Sequence, residues 1–242
     1  MTAMPTLALL AGGLATRMRP LTEQVPKPLL EVAGEPFIAH QLRLIRREGV
    51  TRVVLCVGYK WELIKAFVGD GSQFDLEVIY CVDGPKLLGT GGALRKALPH
   101  LGAESLVMYG DTWLDTRYPP IVEAFRISGK PALMTVFRND GKWDTSNVWY
   151  EDGVIRRYDK RERVPQMHHI DWGLSLVKAD ILALRPADTA FDLAEVYSEL
   201  SRQGELVGYE VKTRFYEIGS IEGLRETDAL LRASDHPPRP GR

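Results

Sequence analysis

The chain has 242 residues, of which 45% are hydrophobic, and this is enough apolar material to bury a sizeable core. General disorder is therefore excluded. Its 31 Lys and Arg residues nearly balance its 32 Asp and Glu residues, so no net basic field draws the protein to nucleic acid or to an anionic membrane. The first apolar run breaks at a pair of glycines, far short of the ~20 residues of a membrane span. We expect a cytoplasmic protein that binds neither partner.

The first half of the chain alternates short apolar runs with amphipathic stretches. The apolar runs predict strands buried on both faces of a sheet, at residues 7–11, 53–57, 76–82, 106–109 and 132–137. Between them, hydrophobic residues recur at helical spacing in residues 37–47 and 61–68. Strands that alternate with helices are typical of βαβ units, and they predict a mostly parallel sheet with helices on both faces.

After residue 140 the pattern changes to strands without intervening helices. Residues 147–150 and 154–158 flank the turn residues Asp152 and Gly153, which is a hairpin signature. The remaining predicted elements are a strand at 169–178, a helix at 191–200, a strand at 206–211 and a helix at 221–231. We expect an antiparallel addition to the sheet, a single domain over residues 1–234 and a disordered tail at 235–242.

The segment after the first strand has the features of a phosphate-binding loop. Gly12 and Gly13 allow the backbone to approach a phosphate closely, and the N–H groups of such a loop form a concave anion site. Arg17 adds a forked cation that suits phosphate oxygens. Lys27 lies between two prolines, which stiffen the backbone around it. The spacing matches neither the P-loop nor the dinucleotide-binding fingerprint, so the sequence predicts a phosphate site of another kind.

The motif Leu-Ala-Gly-Gly-x-x-Thr-Arg at residues 10–17, followed by Pro-Lys-Pro at 26–28, resembles the sugar-1-phosphate nucleotidyltransferases, also called NDP-sugar pyrophosphorylases. Further matches follow at residues 89–93, 109–112, 158–160, 170–173 and 215–220. The chain is similar to the short members that activate manno-heptose, mannose or N-acetylmuramic acid 1-phosphates. The resemblance implies a three-layer, Rossmann-like nucleotidyltransferase fold, with a mostly parallel mixed sheet and an added antiparallel hairpin. It also implies an enzyme that joins a nucleoside triphosphate to a sugar 1-phosphate and releases pyrophosphate.

The resemblance assigns roles to residues near the phosphates. It implies that Arg17, Lys27 and Asp111 are catalytic and that Asp111 and Glu217 bind Mg²⁺ as the cofactor. The family usually has aspartate at the second metal position, so Glu217 extends that ligand by a methylene. The implied nucleotide-binding residues are Leu10, Gly12, Gly13, Asp83, Gly89 and Thr90.

A second set of residues is implied to bind the sugar phosphate. These residues are Asn147, Asp159, Lys160, Asp171 and Gly173. Lys160 matches the family lysine that contacts the sugar phosphate, and Asp159 stands where a carboxylate typically meets a sugar hydroxyl. Lys160 has an alternative reading, because the basic residues around it can form a solvated face of the hairpin.

Asp83 bears on the choice of base. In thymidylyl and uridylyl members a glutamine reads the pyrimidine in this neighbourhood. An ionised carboxylate accepts hydrogen bonds but donates none, so Asp83 suits the N–H donors of guanine and repels the carbonyls of uracil. We therefore predict GTP, and the resemblance to heptose and mannose guanylyltransferases implies a manno-configured sugar 1-phosphate as its partner. Cytosine also presents an amino donor, Asp83 can simply start the turn at Gly84, and backbone groups near Gly89 can read the base instead.

Ala15 is a second departure from the family pattern, because glycine is common at this position. We expect φ to be negative at Ala15, since a methyl group is tolerated there. Two rival functions also stay open: a non-catalytic, nucleotide-sugar-binding regulatory relative, and a transferase that acts on a non-sugar phosphate such as phosphocholine or a molybdopterin. The sequence leaves open whether the chain forms a homo-oligomer.

Overall fold

A nine-stranded mixed sheet runs through the computed structural model, which describes residues 3–233. The predicted tail at 235–242 lies outside the described residues. The strands are β1 (Thr6–Leu10), β2 (Glu31–Val32), β3 (Glu35–Pro36), β4 (Arg52–Val57), β5 (Glu77–Val82), β6 (Glu104–Tyr109), β7 (Thr112–Trp113), β8 (Ala132–Arg138), β9 (Val148–Glu151), β10 (Val154–Tyr158), β11 (His169–Lys178), β12 (Leu206–Val211) and β13 (Tyr216–Glu217). The helices are α1 (Phe37–Arg47), α2 (Trp61–Val68), α3 (Gly89–Ala97), α4 (Pro119–Ser128), α5 (Ala179–Ala183), α6 (Leu193–Arg202) and α7 (Ile221–Ala233).

The strand order of the main sheet is β5-β4-β1-β6-β11-β8-β12-β10-β9. Strands β5, β4, β1 and β6 are parallel, and β8 and β12 form another parallel pair. Strand β11 runs antiparallel between β6 and β8. Strands β9 and β10 form the added hairpin, with β10 antiparallel to β12. The predicted mostly parallel sheet with an antiparallel addition is confirmed.

Both faces of the sheet are covered by helices. In β1, Leu7 and Leu9 pack in one core with α1, α2 and α4, whereas Ala8 between them packs in the other core with α3 and α6. Successive side chains of a strand point to opposite faces, so a strand covered on both sides is apolar throughout. This packing confirms the three-layer arrangement. Among residues 3–233, no helix is both long enough and apolar enough to cross a membrane.

Several of the predicted site residues follow the carboxyl ends of the parallel strands and therefore lie at one edge of the sheet. Strand β1 ends just before Gly12, β5 ends just before Asp83, and β6 is followed by Gly110 and Asp111. The N–H of Gly110 donates to the Leu10 carbonyl at 2.9 Å, which joins the ends of β6 and β1. Ligands of open α/β sheets bind at this carboxyl edge.

Helix α3 is an element that the sequence did not indicate. It begins at Gly89 and includes Gly91 and Gly92, and glycine is a poor helix former. Gly89 has φ +71°, and a Cβ at that position would lie 2.6 Å from the Phe191 carbonyl oxygen. Tight packing against the segment before α6 therefore requires glycine here, and it overrides the local propensity.

Candidate active site

A cavity of about 230 Å³ opens at the carboxyl edge of β1, β5 and β6. All six residues that the resemblance implied for nucleotide binding line it: Leu10, Gly12, Gly13, Asp83, Gly89 and Thr90. Lys27 and Asp111 line it as well. The fold thus brings together residues as far apart in the sequence as Leu10 and Asp111, which are 101 positions apart, at the carboxyl edge of the sheet.

A second, more open cavity adjoins the first. Arg17, Lys27 and Gly219 line it, so Lys27 is shared by both cavities. Arg17 lies in a one-turn 3-10 helix, Thr16–Met18, and its side chain is exposed. A cation that reaches into open space beside Lys27 is suited to a polyanion that extends from one cavity to the other.

The backbone of the glycine-rich loop differs from the prediction at Ala15. Ala15 has φ +49° and ψ +39°, in the left-handed region, so the expectation of a negative φ was wrong. The reason is tertiary closure of the loop. The Ala15 carbonyl accepts from the Met18 N–H at 3.0 Å and from the Thr22 hydroxyl at 2.9 Å.

This backbone leads to a prediction for Ala15→Gly. Alanine in the left-handed region destabilises the folded state by about 1–2 kcal/mol, and glycine removes this strain. Part of the stability gained is offset, because glycine also gives the unfolded chain more conformational freedom. We expect the variant to be more stable by up to about 1 kcal/mol in urea unfolding, with unchanged kcat. The control, Ala66→Gly on the exposed face of α2, should be destabilised by about 1 kcal/mol. A loss of stability in Ala15→Gly would contradict the left-handed loop.

Lys27 and Asp111 form an ion pair between the two cavities. The Lys27 Nζ and Asp111 Oδ2 atoms are 2.9 Å apart, and the side chains are 16% and 32% exposed. Lys27 starts the 3-10 turn Lys27–Leu29 after Pro26, and Asp111 follows β6. Each side chain thus comes from a stiff segment, and both charges remain accessible from the cavities.

Glu217 is brought beside Asp111 by a short antiparallel ladder. Strand β13 pairs with β7, and the Ile218 N–H donates to the Asp111 carbonyl at 2.9 Å. A Cβ placed on Gly219 would lie 2.6 Å from Glu217 Oε2 and 3.5 Å from Asp111 Oδ2. The two carboxylate oxygens are therefore close enough for modest side-chain rotation to bring both to one Mg²⁺, whose bonds to oxygen are about 2.1 Å.

The extra methylene of Glu217 is accommodated because the neighbouring residue, Gly223, has no side chain. A Cβ on Gly223, in the first turn of α7, would lie 1.9 Å from Glu217 Oε1. The Glu217 carboxylate accepts from the Gly219 N–H and, at 2.6 Å, from the Ser220 hydroxyl. Glycine at position 223 thus leaves room for glutamate where the resemblance led us to expect aspartate.

This pair of carboxylates fits Mg²⁺. Magnesium is usually held by one or two carboxylates together with substrate phosphates and water. Within residues 3–233 there is no group of three or more Asp, Glu, His or Cys side chains that could hold a metal, so Asp111 and Glu217 would need phosphate and water oxygens to complete the coordination. Their place beside Lys27, between two cavities, suits that arrangement.

Three of the residues predicted to bind the sugar phosphate, Asn147, Asp171 and Gly173, form one hydrogen-bonded group. Asn147 Oδ1 accepts from the Asp171 N–H at 3.1 Å, and Asp171 Oδ1 accepts from the Gly173 N–H at 3.0 Å. The Lys160 ammonium lies 6.0 Å from the centroid of the Tyr109 ring. Burial raises the pKa of Asp171, and the charge of Lys160 opposes that shift. Lys160 and Asp171 therefore face a common region.

The carboxylate of Asp159, which is predicted to bind the sugar, forms hydrogen bonds and an ion pair only with residues close to it in the sequence, among those that the structure describes. Its Oδ1 accepts from the N–H groups of Arg161 and Glu162, both at 2.9 Å, and its Oδ2 lies 3.5 Å from the Arg157 guanidinium. The carboxylate therefore caps its own turn. Its contact with a sugar hydroxyl stays a prediction.

Two residues near this region were missed by the sequence analysis. Tyr109 lines the first cavity, and its hydroxyl is buried without a hydrogen-bond partner in the described residues. Asp192 precedes α6, and its Oδ1 accepts from the Thr90 hydroxyl at 2.8 Å. A tyrosine at a strand end and an aspartate before a helix are common structural residues, so neither position carried a functional signal.

The comparisons with known proteins show which family the chain resembles. Residues 8–167 match the family described as Nucleotidyl transferase. The chain belongs to this family. The resemblance inferred from the motifs is thereby confirmed. Asp171, Asp192 and Glu217 lie beyond the matched residues.

Among the relatives of this chain, N-acetylmuramate α-1-phosphate uridylyltransferase of Neisseria meningitidis is 39% identical over 93% of the chain and 97% of that protein. D-glycero-α-D-manno-heptose 1-phosphate guanylyltransferase of Campylobacter jejuni is 33% identical over 72% of the chain and 76% of that protein. The chain spans 63% of the length of a rice mannose-1-phosphate guanylyltransferase that it also matches.

A solved structure shows the same fold. HddC from Yersinia pseudotuberculosis, complexed with GMP-PN, superposes with a TM-score of 0.81 at 23% identity, over 94% of this chain and 100% of that one. The implied Rossmann-like nucleotidyltransferase fold is thereby confirmed.

Proposed function

We propose that the chain is a Mg²⁺-dependent enzyme that joins a nucleoside triphosphate to a sugar 1-phosphate and gives an NDP-sugar and pyrophosphate. The observation that carries the proposal is the Lys27–Asp111 pair, with Glu217 beside it, at the junction of the two cavities. The nucleoside occupies the first cavity, and the triphosphate follows the Gly12–Gly13 loop towards Arg17. The sugar phosphate enters from the side of Lys160 and Asp171.

The reaction is a displacement at phosphorus. An oxygen of the sugar phosphate attacks the α-phosphorus, a new P–O bond forms, and the bond from the α-phosphorus to the bridging oxygen breaks. The electron pair of that bond leaves with pyrophosphate. The attacking oxygen is already ionised at neutral pH, so no general base is needed. This accounts for a site built from cations and carboxylates.

The side chains lower the repulsion between two polyanions and align them. Lys27 meets the reacting phosphates, Arg17 meets the leaving pyrophosphate, and Lys160 meets the sugar phosphate. When bound between Asp111 and Glu217, Mg²⁺ would neutralise charge on the phosphate oxygens.

For the base we propose guanine. Asp83 Oδ2 accepts from the Leu88 N–H at 3.1 Å, whereas Oδ1 is buried without a hydrogen-bond partner in residues 3–233. Asp83 lines the first cavity, and rotation of its carboxylate would present this unpaired acceptor to the N–H donors of guanine. Burial raises the pKa of Asp83, so the carboxylate gains most from a ligand that donates to it. The Campylobacter relative, a guanylyltransferase for a manno-heptose phosphate, supports GTP and a manno-configured sugar.

UTP is the second candidate, because the relative that is 39% identical over nearly its whole length is a uridylyltransferase. A coupled pyrophosphate-release assay over GTP, UTP, CTP, dTTP and ATP, each with mannose, manno-heptose and N-acetylmuramic acid 1-phosphates, separates the candidates. We expect kcat/KM for GTP to exceed that for any other triphosphate by at least about tenfold, or 1.4 kcal/mol. A tenfold preference for another triphosphate refutes guanine, and no pyrophosphate release with any pair refutes the transferase and favours a regulatory, non-catalytic protein.

The variant Asp83→Asn tests how guanine is read. Asparagine keeps an acceptor for the Leu88 N–H and replaces the free oxygen with a donor. We expect kcat/KM for GTP to fall by about tenfold or more, since a hydrogen bond to a charged group is lost, while kcat/KM for UTP does not fall. An equal loss for all triphosphates would show that Asp83 supports the cavity wall without selecting the base.

A further inference from the structure

Asp192 is fixed against the nucleotide cavity by one of its two carboxylate oxygens. Its Oδ1 accepts from the Thr90 hydroxyl at 2.8 Å and from the Ala194 N–H at 2.9 Å, where it caps α6. The Thr90 hydroxyl in turn accepts from the Leu193 N–H at 2.8 Å. Thr90 lines the first cavity, so these bonds fix Asp192 to the cavity wall.

The backbone before Asp192 strengthens this attachment. The Phe191 carbonyl accepts from the N–H groups of Gly91 and Gly92 at 3.0 and 3.3 Å, and the Phe191 N–H donates to the Leu88 carbonyl at 3.0 Å. The segment before α6 is thus bonded along the whole first turn of α3. Asp192 therefore holds a defined position relative to any nucleotide in the cavity.

The other oxygen, Asp192 Oδ2, is free. In the part of the chain that the structure describes, Oδ2 has no hydrogen-bond partner, and the side chain is exposed. Although the residue is exposed, partial burial of its carboxyl group opposes ionisation; the hydrogen bond from the Ala194 N–H and the charge of Lys160 outweigh this effect and lower the pKa of Asp192. A free, ionised oxygen is a strong acceptor for a hydroxyl group.

Lys160 faces Asp192 across a gap. Lys160 affects the ionisation of both Asp192 and Asp171, yet within residues 3–233 its ammonium makes no hydrogen bond or ion pair. The cation and the two carboxylates are therefore near each other without contact. A sugar 1-phosphate carries the groups that would fill such a gap, because its phosphate suits the ammonium and its hydroxyls suit the carboxylates.

We propose that Asp192 is a specificity-determining residue for the sugar: its Oδ2 accepts a hydrogen bond from a ring hydroxyl of the sugar 1-phosphate whose phosphate contacts Lys160. This inference rests on the proposed transferase function and extends it. Because Oδ1 binds Thr90, the same side chain sets the position of the sugar relative to the nucleotide. A sugar that lacks this hydroxyl, or carries it in the other configuration, binds less well.

The variant Asp192→Asn isolates Oδ2. Asparagine keeps an acceptor for the Thr90 hydroxyl and the Ala194 N–H and is itself a good helix cap. It replaces only the free oxygen, with a group that donates and cannot accept. We expect KM for the sugar 1-phosphate to rise by about tenfold or more, the size of a lost hydrogen bond to a charged group, while KM for the triphosphate changes less than about twofold. The matched control is Asp180→Asn, an exposed acid at the start of α5, which should match the wild type.

Monodeoxy sugar 1-phosphates provide the decisive comparison. With the wild type, one deoxy position should raise KM by about tenfold; with Asp192→Asn the same analogue and its parent sugar should have equal KM values, since the bond is already lost. Thermal unfolding of both variants serves as a check, because a purely structural role of Asp192 would lower Tm and raise both KM values together.

The outcomes separate this inference from the proposed function. If the wild type transfers to a sugar 1-phosphate and Asp192→Asn leaves its KM unchanged, or the deoxy penalty persists in the variant, the role of Asp192 is wrong and the transferase stands. If the wild type releases no pyrophosphate with any sugar 1-phosphate, both are wrong.

Discussion

Lys27→Ala should lower kcat by about a hundredfold or more, the usual cost of removing one preorganised group that stabilises transition-state charge. Among residues 3–233, Lys27 is the only basic residue that lines both cavities, and it forms an ion pair with Asp111. The fold should persist, because Asp111 is 32% exposed and water can replace the ammonium. Steady-state kinetics with saturating substrates measures the effect, and far-UV circular dichroism checks the fold.

The matched control for Lys27 is Lys130→Ala. Lys130 and Glu205 form an ion pair with the same 2.9 Å separation, but Lys130 precedes β8 at the opposite edge of the sheet from the site. This variant should keep wild-type kcat. Arg17→Ala should resemble Lys27→Ala, since Arg17 faces the second cavity. A Lys27→Ala enzyme with wild-type kcat would show that the lysine between the prolines is not catalytic.

Asp111→Asn should lower kcat by about a hundredfold or more and raise the Mg²⁺ concentration needed for half-maximal rate, because a neutral amide is a poorer ligand for a hard cation. The ion pair with Lys27 is also lost. Titration of Mn²⁺ followed by electron paramagnetic resonance measures metal binding without turnover. Asp115→Asn, four residues further on and paired with Arg47 at the surface, is the control. Unchanged metal affinity in Asp111→Asn would contradict the proposed metal site.

The sequence predicted the elements whose local pattern agrees with their tertiary setting. Leu7–Leu10 is apolar at every position because β1 is covered on both faces, so a continuous apolar run predicted it. Helix α1 was predicted with its observed bounds because its hydrophobic stripe faces the core. Helix α3 was not indicated, because its glycines are there for close packing against Phe191.

In the candidate site, too, the sequence predicted individual residues but not the contacts that depend on tertiary packing. The resemblance implied Lys27 and Asp111, which are 84 positions apart, but their contact depends on the place of β6 beside β1. Ala15 was predicted incorrectly, since loop closure by Thr22 decides its backbone more than the preference of alanine does. Asp192 meets Thr90 across 102 positions, through the packing of α6 on α3. Contacts of this kind follow from topology, and no local pattern reports them.

A crystal structure with Mg²⁺ and a non-hydrolysable GTP analogue tests the central claim most directly. We expect the guanine at Asp83, the triphosphate along Gly12 and Gly13, and the α-phosphate beside Lys27. The metal should contact Asp111 and Glu217 at about 2.1 Å. A triphosphate bound away from Lys27, or a metal that contacts neither carboxylate, would contradict the account.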